Sequence, residues 1–350
     1  MADTPRPDHQ QADPFGERAR PAFGRTFDVL GERFEFHADD EALLAVVDAA
    51  YAGLPPQRHS PDPSFEVRLQ LTGGAGFGDR AEPPEARMRG GVGLFGAMMD
   101  ADNFALAMPA QRSGLVAVSP ALLQRFPYHA RYELLEFAVF MLASRARPLV
   151  PLHAGCIAID GAGVLLVGES GAGKSTLALH GLLQGGRLVT EDAAFVDADD
   201  LMAMGVPNFL HLREDALPWI ADDAMSAWVR RSPVIRRRSG VEKFELDLRQ
   251  AVDLVATAPA PLRAVVFISK ETPTRPHPAL TRLEPDRIAA RLVASQPYAA
   301  HQPGWSAFET RLATLQAFEL KRGLHPREAA AALREAIGES STTGRDHAEL

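Results

Sequence analysis

One motif in the sequence combines residue types and a spacing that are suited to binding phosphate groups. Residues 168–175, Gly-Glu-Ser-Gly-Ala-Gly-Lys-Ser, match the pattern G-x-x-x-x-G-K-[ST] at every fixed position. The glycines permit a turn whose backbone N–H groups surround phosphate oxygens, and the helix that follows adds partial positive charge. We expect Lys174 to reach the β- and γ-phosphates of a nucleotide and the Ser175 hydroxyl to ligate Mg²⁺. The predicted nucleotide-binding residues are Gly168, Glu169, Ser170, Gly171, Ala172, Gly173, Lys174, Ser175 and Thr176.

Two adjacent carboxylates are the next candidates for chemistry. Glu191 and Asp192 end a predicted strand at 187–190, shortly after the phosphate motif. This order places them at the strand end nearest the loop. There, one carboxylate would hold Mg²⁺ and the other would accept a proton from an attacking hydroxyl. A solvated acidic turn is the alternative interpretation.

Single basic residues elsewhere are weaker candidates. His153 lies at the head of the strand region before the motif, where it would sit near the γ-phosphate, although a single histidine at a strand end is more often a surface or core-edge residue. Lys243 is one of four lysines in the chain and would neutralise charge on a transferring phosphoryl group, or would simply be an exposed strand residue. An arginine run at 230–238 would grip an acidic substrate or nucleotide phosphates, or form a solvated loop.

The elements that must position these residues fall into two regions. A length of 350 residues favours about two domains. We predict a disordered tail at 1–22, an α+β domain at 23–146, a phosphate-loop domain at 147–338 and a second tail at 339–350. The predicted strands cover a hairpin at 27–36 and runs at 65–71, 104–108, 114–119, 156–159, 164–167, 187–190, 194–196 and 262–269. The predicted helices cover 39–51, 128–146, 174–184, 305–321 and 326–337, and 72–92 is a predicted loop.

Composition excludes several classes of function. A net charge of −8 argues against a protein that works mainly on a nucleic-acid backbone. The sequence contains no apolar run near the ~20 residues of a membrane helix, and no apolar leader at 1–22, so we expect a cytoplasmic protein. The single cysteine, Cys156, excludes a disulfide framework and a thiolate zinc cluster.

Three segments together resemble the catalytic domain of the HPr kinase/phosphorylase family. These are residues 152–157 around His153, the loop at 163–176, and residues 186–192 with their acidic pair. That family is similar in fold to phosphoenolpyruvate carboxykinases, so the resemblance implies an α/β P-loop kinase domain, here preceded by a smaller α+β domain. It implies that His153 is an active-site histidine, that Lys174 and Ser175 serve phosphate and magnesium, and that Glu191 is the base and Asp192 the metal partner. Which carboxylate takes which role stays open.

The resemblance implies ATP and Mg²⁺ as cofactors and a serine kinase that acts on a protein, peptide or small-molecule hydroxyl, in a homo-oligomer. The sequence departs from the family in having Glu191 where Asp is common, and it lacks the signature built around Glu-Val/Ile-Arg-Gly, which argues against HPr as the acceptor. Two other functions stay open. One is a nucleotide-gated regulatory protein without transfer, and the other is a transport or motor ATPase, although no Leu-Ser-Gly-Gly signature follows the loop.

Overall fold

The computed structural model describes residues 22–55, 61–74, 76–271 and 274–343. Within these residues the chain forms three β-sheets with helices packed against them, so the expected α/β fold class is confirmed. The tail predicted at 1–22 lies outside the described residues except for its last residue. The tail predicted at 339–350 is described as far as Thr343, and the last helix continues to that residue.

Seven strands of the first region form one sheet. They are β1 (Phe23–Val29), β2 (Glu32–Ala38), β3 (Phe65–Leu71), β4 (Arg87–Gly91), β5 (Leu94–Met98), β6 (Phe104–Met108) and β7 (Ser113–Val118). Their order is β1-β2-β3-β7-β6-β5-β4, with β2, β3 and β7 parallel and the other neighbours antiparallel. The predicted hairpin is confirmed as β1 and β2, joined by Leu30 and Gly31, whose φ angles of 52° and 79° fit a tight turn.

Strand β4 lies inside the stretch 72–92 that the sequence predicts as a loop. All five of its residues are exposed, so it lacks the alternation of apolar and polar residues that marks a half-buried strand. It is the last strand of the sheet and pairs with β5. The prediction was therefore wrong for Arg87–Gly91, because an exposed edge strand leaves no hydrophobic pattern.

Helices cover one face of this sheet and enclose the first hydrophobic core. They are α1 (Glu41–Tyr51), α2 (Pro120–Arg125), α3 (Pro127–His129), a π-helical segment (Ala130–Leu135) and α4 (Glu136–Ala146). The helix predicted at 128–146 is thus present, with a π-helical turn inside it. Residues of the second region also join this core, namely Leu149, Phe195, Met204 and Val206. The two predicted domains share packing, and the division between them stays a prediction.

Nine strands of the second region form a larger sheet, and three more form a small one. The larger sheet contains β8 (Leu149–Leu152), β9 (Gly155–Ile159), β10 (Ala162–Val167), β11 (Arg187–Thr190), β12 (Ala194–Asp197), β13 (Met202–Met204), β17 (Ala260–Ile268), β18 (Ala279–Leu283) and β19 (Gln316–Lys321). The small sheet contains β14 (Phe209–Leu212), β15 (Val234–Arg236) and β16 (Glu242–Asp247), in the order β14-β16-β15.

Three parallel strands position the phosphate loop. Strands β10, β17 and β19 run in the same direction, with β17 between the other two. Because the carboxyl ends of parallel strands meet at one edge of a sheet, the loop after β10 and Arg322 after β19 emerge side by side. Strand β9 pairs with β10 and is buried along its whole length, including Cys156. Burial raises the pKa of the Cys156 thiol to about 12, partly offset by a backbone hydrogen bond from Val164.

The helices of the second region pack on both sides of these strands. They are α5 (Lys174–Leu182), α6 (Asp223–Arg231), α7 (Asp286–Ser295), α8 (Trp305–Leu312) and α9 (Pro326–Thr343). The helices predicted from Lys174 and from Pro326 are confirmed. The single helix predicted at 305–321 is wrong, because α8 ends at Leu312 and the chain re-enters the sheet as β19, parallel to β17. Burial of Ala317, Phe318 and Leu320 against both sides of that strand outweighs the local helical spacing.

Candidate functional site

The phosphate loop connects β10 to α5 and adopts the backbone that its glycines permit. Gly171 and Gly173 have φ angles of 81° and 97°, in the left-handed region that other residues rarely occupy. Gly173 caps the N-terminus of α5. Ala172 is buried in the core beneath the loop, and residues 169–171 and 173–176 line a cavity of about 810 Å³. The loop therefore presents backbone N–H groups and a helix N-terminus to this cavity.

Lys174 lies across the loop. Its Nζ donates a hydrogen bond to the carbonyl oxygen of Gly168 at 2.7 Å. Burial lowers the pKa of the Lys174 ammonium below its usual value, while the carboxylates of Asp192 and Glu191 act in the opposite direction. A charged ammonium held over the loop fits the position that the motif predicts for contact with β- and γ-phosphates.

Glu191 is bound at both carboxylate oxygens. Ser175 Oγ donates to Glu191 Oε1 at 2.7 Å, and His211 Nδ1 donates to Glu191 Oε2 at 2.6 Å. Glu191 is only 7% exposed. Burial alone would raise the pKa of Glu191, but the charge and hydrogen bond of His211, with Lys243 and Arg237 nearby, bring this pKa well below its usual value. Glu191 is therefore a fixed anion that orients the Ser175 hydroxyl.

A row of buried charges continues from His211 away from the cavity. His211 Nε2 donates to Glu245 Oε1 at 3.1 Å, and Glu245 forms an ion pair with Arg131 of the π-helical segment. Arg131 also lies 3.6 Å from Glu136, measured from Nε to Oε1. Burial raises the pKa of Glu136 to about 7 against the charge of Arg131. We call Glu191, His211, Glu245, Arg131 and Glu136 the buried charge row; it joins the phosphate site to the first region.

Asp192 points into the cavity and pairs with His153. His153 Nδ1 lies 3.5 Å from Asp192 Oδ1, and Arg237 Nη1 lies 3.9 Å from Asp192 Oδ2. The backbone N–H of His153 is held by Gln296 Oε1 at 2.7 Å and Tyr298 Oη at 2.8 Å, while its imidazole is 51% exposed. The structure thus brings His153 and Asp192 to the cavity that the phosphate loop lines, while Glu191 is buried and bound to Ser175.

Lys243 and Arg237 complete the cationic side of the cavity. Lys243, on β16, is part of the cavity wall, and its contact with phosphate stays a prediction. The guanidinium of Arg237 lies 3.8 Å from Glu191, from Nη2 to Oε2, and 5.0 Å from the ring centre of Tyr132. Arg237 is 16% exposed and its pKa is raised by these anions and tyrosines, although burial acts against this.

The structure divides the predicted arginine run. Arg237 and Arg238 reach the cavity, where Arg238 forms two hydrogen bonds of 2.7 Å to Glu133. Arg236 instead pairs with Glu82 at 3.0 Å, and Arg230 and Arg231 are exposed on α6. Sequence reasoning missed His211, Tyr128, Tyr132 and Gln296 altogether, because each belongs to an element far from the motif in sequence. A histidine in the apolar run at 209–212 was the only signal for His211.

The remaining loop residues have different surroundings. Ser170 and Thr176 line the cavity, as does Glu169, whose exposed carboxylate pairs with Lys270 at 3.0 Å. The described residues contain no group of three or more His, Cys, Asp or Glu side chains arranged for a metal ion. Ser175 Oγ and the carboxylates beside it are hard oxygen donors, and they fit a Mg²⁺ that takes its other oxygens from phosphate and water. The loop, Lys174 and the cavity size fit a nucleoside triphosphate.

Comparison with known proteins finds HPr kinase/phosphorylases. Over 62 residues the chain is 47% identical to the HPr kinase/phosphorylase of Xanthomonas campestris pv. campestris (strain B100) and to that of Xanthomonas oryzae pv. oryzae (strain PXO99A). Each match covers 18% of this chain and 20% of the relative, so the chain spans about a fifth of the length of the curated relatives it matches. No protein-family model matches the chain. The resemblance to HPr kinase/phosphorylase is confirmed over this segment.

One solved structure overlaps a larger part of the chain. The HPr(Ser) kinase/phosphatase from Coxiella burnetii covers 56% of this chain and 98% of its own, with 14% sequence identity and a TM-score of 0.29. The fold described above rests on the strands and the phosphate loop of this chain. Among the described helices, none has the length and apolar character needed to cross a membrane.

Proposed function

We propose that this chain, which is HPr-kinase-like around its phosphate loop, binds ATP with Mg²⁺ and transfers the γ-phosphate to a hydroxyl. The acceptor is a serine or similar hydroxyl of a protein, a peptide or a small molecule. The observation that carries the proposal is the pairing of Asp192 with His153, 3.5 Å apart, on the same cavity wall as Lys174 and Ser175. Nucleotide binding alone does not need a carboxylate facing the loop, whereas removal of a hydroxyl proton needs a positioned base, and Asp192 beside His153 can supply it.

The geometry favours one order for the acidic pair. Both oxygens of Glu191 are engaged, by Ser175 and by His211, and its side chain is buried. Asp192 meets the cavity and has His153 as its neighbour. We therefore assign Asp192 as the proton acceptor and Glu191 as the residue that orients Ser175 toward the metal. This exchanges the roles that the resemblance alone implies.

The transfer step then uses the residues as follows. The acceptor hydroxyl gives its proton to the Asp192 carboxylate, and its oxygen forms a bond to the γ-phosphorus. The bond from that phosphorus to the β–γ bridging oxygen breaks, and the negative charge stays on the departing diphosphate. Lys174, Lys243 and Arg237 stabilise the charge that spreads over the transferring group. Mg²⁺, when bound, supplies further neutralisation of the β- and γ-phosphate oxygens.

The test follows radiolabelled γ-phosphate from ATP into acceptors. The purified chain is incubated with labelled ATP, Mg²⁺ and an extract of its own cells, with purified HPr in a separate arm because the relatives are named for it. We expect a labelled acceptor with the native chain and none with Lys174→Ala, since the ammonium over the loop is lost. Lys321→Ala, an exposed lysine that pairs with Glu271, is the matched control and should leave transfer unchanged.

Two further variants separate the roles of the acidic pair. Asp192→Asn is expected to lower kcat by about 100-fold or more, the usual contribution of a positioned base, with little change in nucleotide affinity. Glu191→Gln is expected mainly to raise the Mg²⁺ concentration that gives half-maximal rate. Transfer of labelled phosphate by Lys174→Ala at the native level would contradict the proposal. Tight ATP binding without transfer to any acceptor would favour the nucleotide-gated regulatory protein instead.

A further inference from the structure

His153 lies in the turn between β8 and β9, where neither strand pairing includes its backbone. The pairing of β8 with β12 ends at Leu152, and β9 begins at Gly155. Ala154 N–H donates to the carbonyl oxygen of Leu152 at 2.9 Å, which closes a three-residue turn with His153 at its centre. The N–H and C=O of the central residue take no part in such a turn. Those of His153 are therefore available to partners elsewhere in the molecule.

One side chain binds both of these backbone groups. His153 N–H donates to Gln296 Oε1 at 2.7 Å, and Gln296 Nε2 donates to the carbonyl oxygen of His153 at 3.3 Å. The Tyr298 hydroxyl joins them, because it accepts from the same N–H at 2.8 Å and donates to Gln296 Oε1 at 2.9 Å. We call Gln296 and Tyr298 the backbone clamp of His153.

The backbone clamp is attached to the core that also contains β8. Gln296 directly follows α7, its N–H donates to the carbonyl oxygen of Leu292 at 2.8 Å, and it is only 3% exposed. Leu292 and Ala299, which precede and follow the clamp, belong to the same hydrophobic core as Leu152. Core packing thus holds the clamp beside the strand that leads to His153.

The imidazole of His153 depends on its backbone for its position. This side chain is 51% exposed, so about half of its surface has no packing contact. Its Nδ1 lies 3.5 Å from Asp192 Oδ1, which is longer than a good hydrogen bond and so restrains the ring weakly. Since the backbone sets the direction of the Cα–Cβ bond, a shift of the turn would move the imidazole away from Asp192.

We propose that Gln296 is a positioning residue for phosphoryl transfer, which holds the imidazole of His153 beside Asp192 through the His153 backbone, with Tyr298 as its partner. The proposal rests on the proposed function, because it takes Asp192 as the proton acceptor. Gln296 and Tyr298 lie outside the set of residues that line the cavity. Their loss should therefore lower the rate of transfer and leave the affinity for ATP unchanged.

The experiment measures the initial rate at which labelled γ-phosphate enters the cell extract at saturating ATP. Gln296→Met removes both hydrogen bonds in a side chain of similar length, and we expect it to lower this rate about tenfold or more, because small displacements of reacting groups are costly. The Kd of ATP, measured by calorimetry, should stay at the native value. Gln184→Met, which loses one hydrogen bond of 2.9 Å to the carbonyl oxygen of Arg327 outside the cavity, is the matched control and should transfer at the native rate.

Two conservative variants test the hydrogen bonds one at a time. Gln296→Glu keeps an acceptor for the His153 N–H, so its rate should lie between those of Gln296→Met and the native chain. Tyr298→Phe removes one acceptor for the same N–H and should lower the rate severalfold. A rate of Gln296→Glu no higher than that of Gln296→Met would contradict the clamp.

A double-mutant cycle separates positioning from support of the fold. In His153→Ala the backbone groups that Gln296 binds are still present, but the imidazole is gone. Adding Gln296→Met should then lower the Tm as much as it does in the native chain and cause no further loss of transfer. An equal fold-loss of rate in both backgrounds would overturn the proposal, because Gln296 would then not act through His153.

The outcomes distinguish this proposal from the proposed function. Transfer by Gln296→Met at the native rate would overturn the positioning role while the kinase stands. A native chain that binds ATP and labels no acceptor would overturn the proposed function, and the positioning role with it. If Gln296→Met does not fold, Tyr298→Phe takes its place in the cycle and is read in the same way.

Discussion

Glu191 is held from two sides, by the hydroxyl of Ser175 and by the imidazole of His211, and this fixes what each neighbouring residue can do. A carboxylate with both oxygens engaged is a poor proton acceptor, because protonation would break one of those hydrogen bonds. The neighbours of Asp192 lie farther away, with His153 at 3.5 Å from Oδ1 and Arg237 at 3.9 Å from Oδ2, so Asp192 can accept a proton without losing a short hydrogen bond of that kind. At the scale of single residues, the buried charge row thus favours Glu191 as the residue that orients Ser175 and Asp192 as the proton acceptor.

The Glu191–His211 pair should make stability depend on pH. The pKa of His211 is raised, because Glu191 and Glu245 outweigh burial. Its contribution to the stability of the fold is therefore fully present below pH 6.5, the usual pKa of histidine, and is lost as the pH rises through the folded-state pKa. The pKa of Glu191 is lowered, so its contribution to stability is fully present above pH 4.5, the usual pKa of glutamate. It is lost as the pH falls through the folded-state pKa. The ion pair therefore stabilises the fold most between pH 4.5 and pH 6.5.

His211→Gln tests this pair. We expect it to lower the free energy of unfolding by about 3 kcal/mol near pH 6, since it removes one partner of a buried ion pair. The difference from the native chain should shrink at alkaline pH, measured by urea denaturation. His277→Gln, at an exposed histidine that is 3.0 Å from Glu328, is the control and should change stability little at either pH. The same loss at all pH values would contradict a charged His211.

Residues of the motif could be predicted from the sequence, and those of the buried charge row could not. The pattern at 168–175 fixes backbone torsions and charges locally, so its position needed no tertiary information. His211 and Glu245 are cross-strand partners on β14 and β16, and Arg131 meets Glu245 only when the small sheet packs against the π-helical segment. Their role is set by that packing, which no short stretch of sequence encodes.

At the scale of elements, the phosphate loop depends on two glycines at its turn into α5. Gly173 needs φ of 97°, and an added Cβ would meet Arg322 Nη1 at 2.9 Å. Gly173→Ala should therefore distort the loop, because it adds about 1–2 kcal/mol of backbone strain. We expect the affinities for ATP and for tripolyphosphate to fall by about tenfold each. The measurement is calorimetric titration with both ligands.

Gly338→Ala is the matched control for Gly173→Ala. It lies in α9, and an added Cβ would have no heavy atom within 4 Å. It should leave both Kd values unchanged and raise stability by up to about 1 kcal/mol, the usual gain of alanine in a helix. Undisturbed tripolyphosphate binding in Gly173→Ala would show that the loop does not grip phosphate through its left-handed turn.

The elements that the sequence did not predict share a physical cause. Residues 316–321 have a spacing that suits a helix, yet they form β19 because a central position beside β17 buries apolar side chains on both faces. Strand β8 is short and ends beside His153, and β13 has only three residues, so neither gives a periodic signal. The hydrophobic periodicity of the sequence predicts the long, amphipathic elements. The short strands form because of the neighbouring strands with which they pair, and the local sequence does not show this.

At the scale of the whole molecule, the two predicted domains depend on each other. The first core includes Leu149, Phe195, Met204 and Val206 of the second region, and Glu245 has its buried ion-pair partner, Arg131, in the first. Separation would expose these side chains and leave a buried carboxylate without its cation, which costs about 3 kcal/mol or more. We therefore expect the site and the N-terminal sheet to unfold together.

A fragment containing residues 147–350 tests this dependence. We expect it to show no cooperative thermal transition by circular dichroism when it is produced alone. Production together with residues 1–146 should restore a transition, because the shared core can then form. A fragment that melts cooperatively at the Tm of the intact chain would contradict the dependence and would support 147–338 as an independent domain.

The burial of Cys156 in β9 has a practical consequence. Its thiol is enclosed by the sheet and stays protonated at neutral pH, so maleimide and iodoacetamide reagents should leave the folded chain unmodified. No other cysteine competes, since the sequence has only one. A cysteine introduced at any exposed position would therefore be the sole reactive thiol, and spin labels or fluorophores can be attached there without first removing the native one.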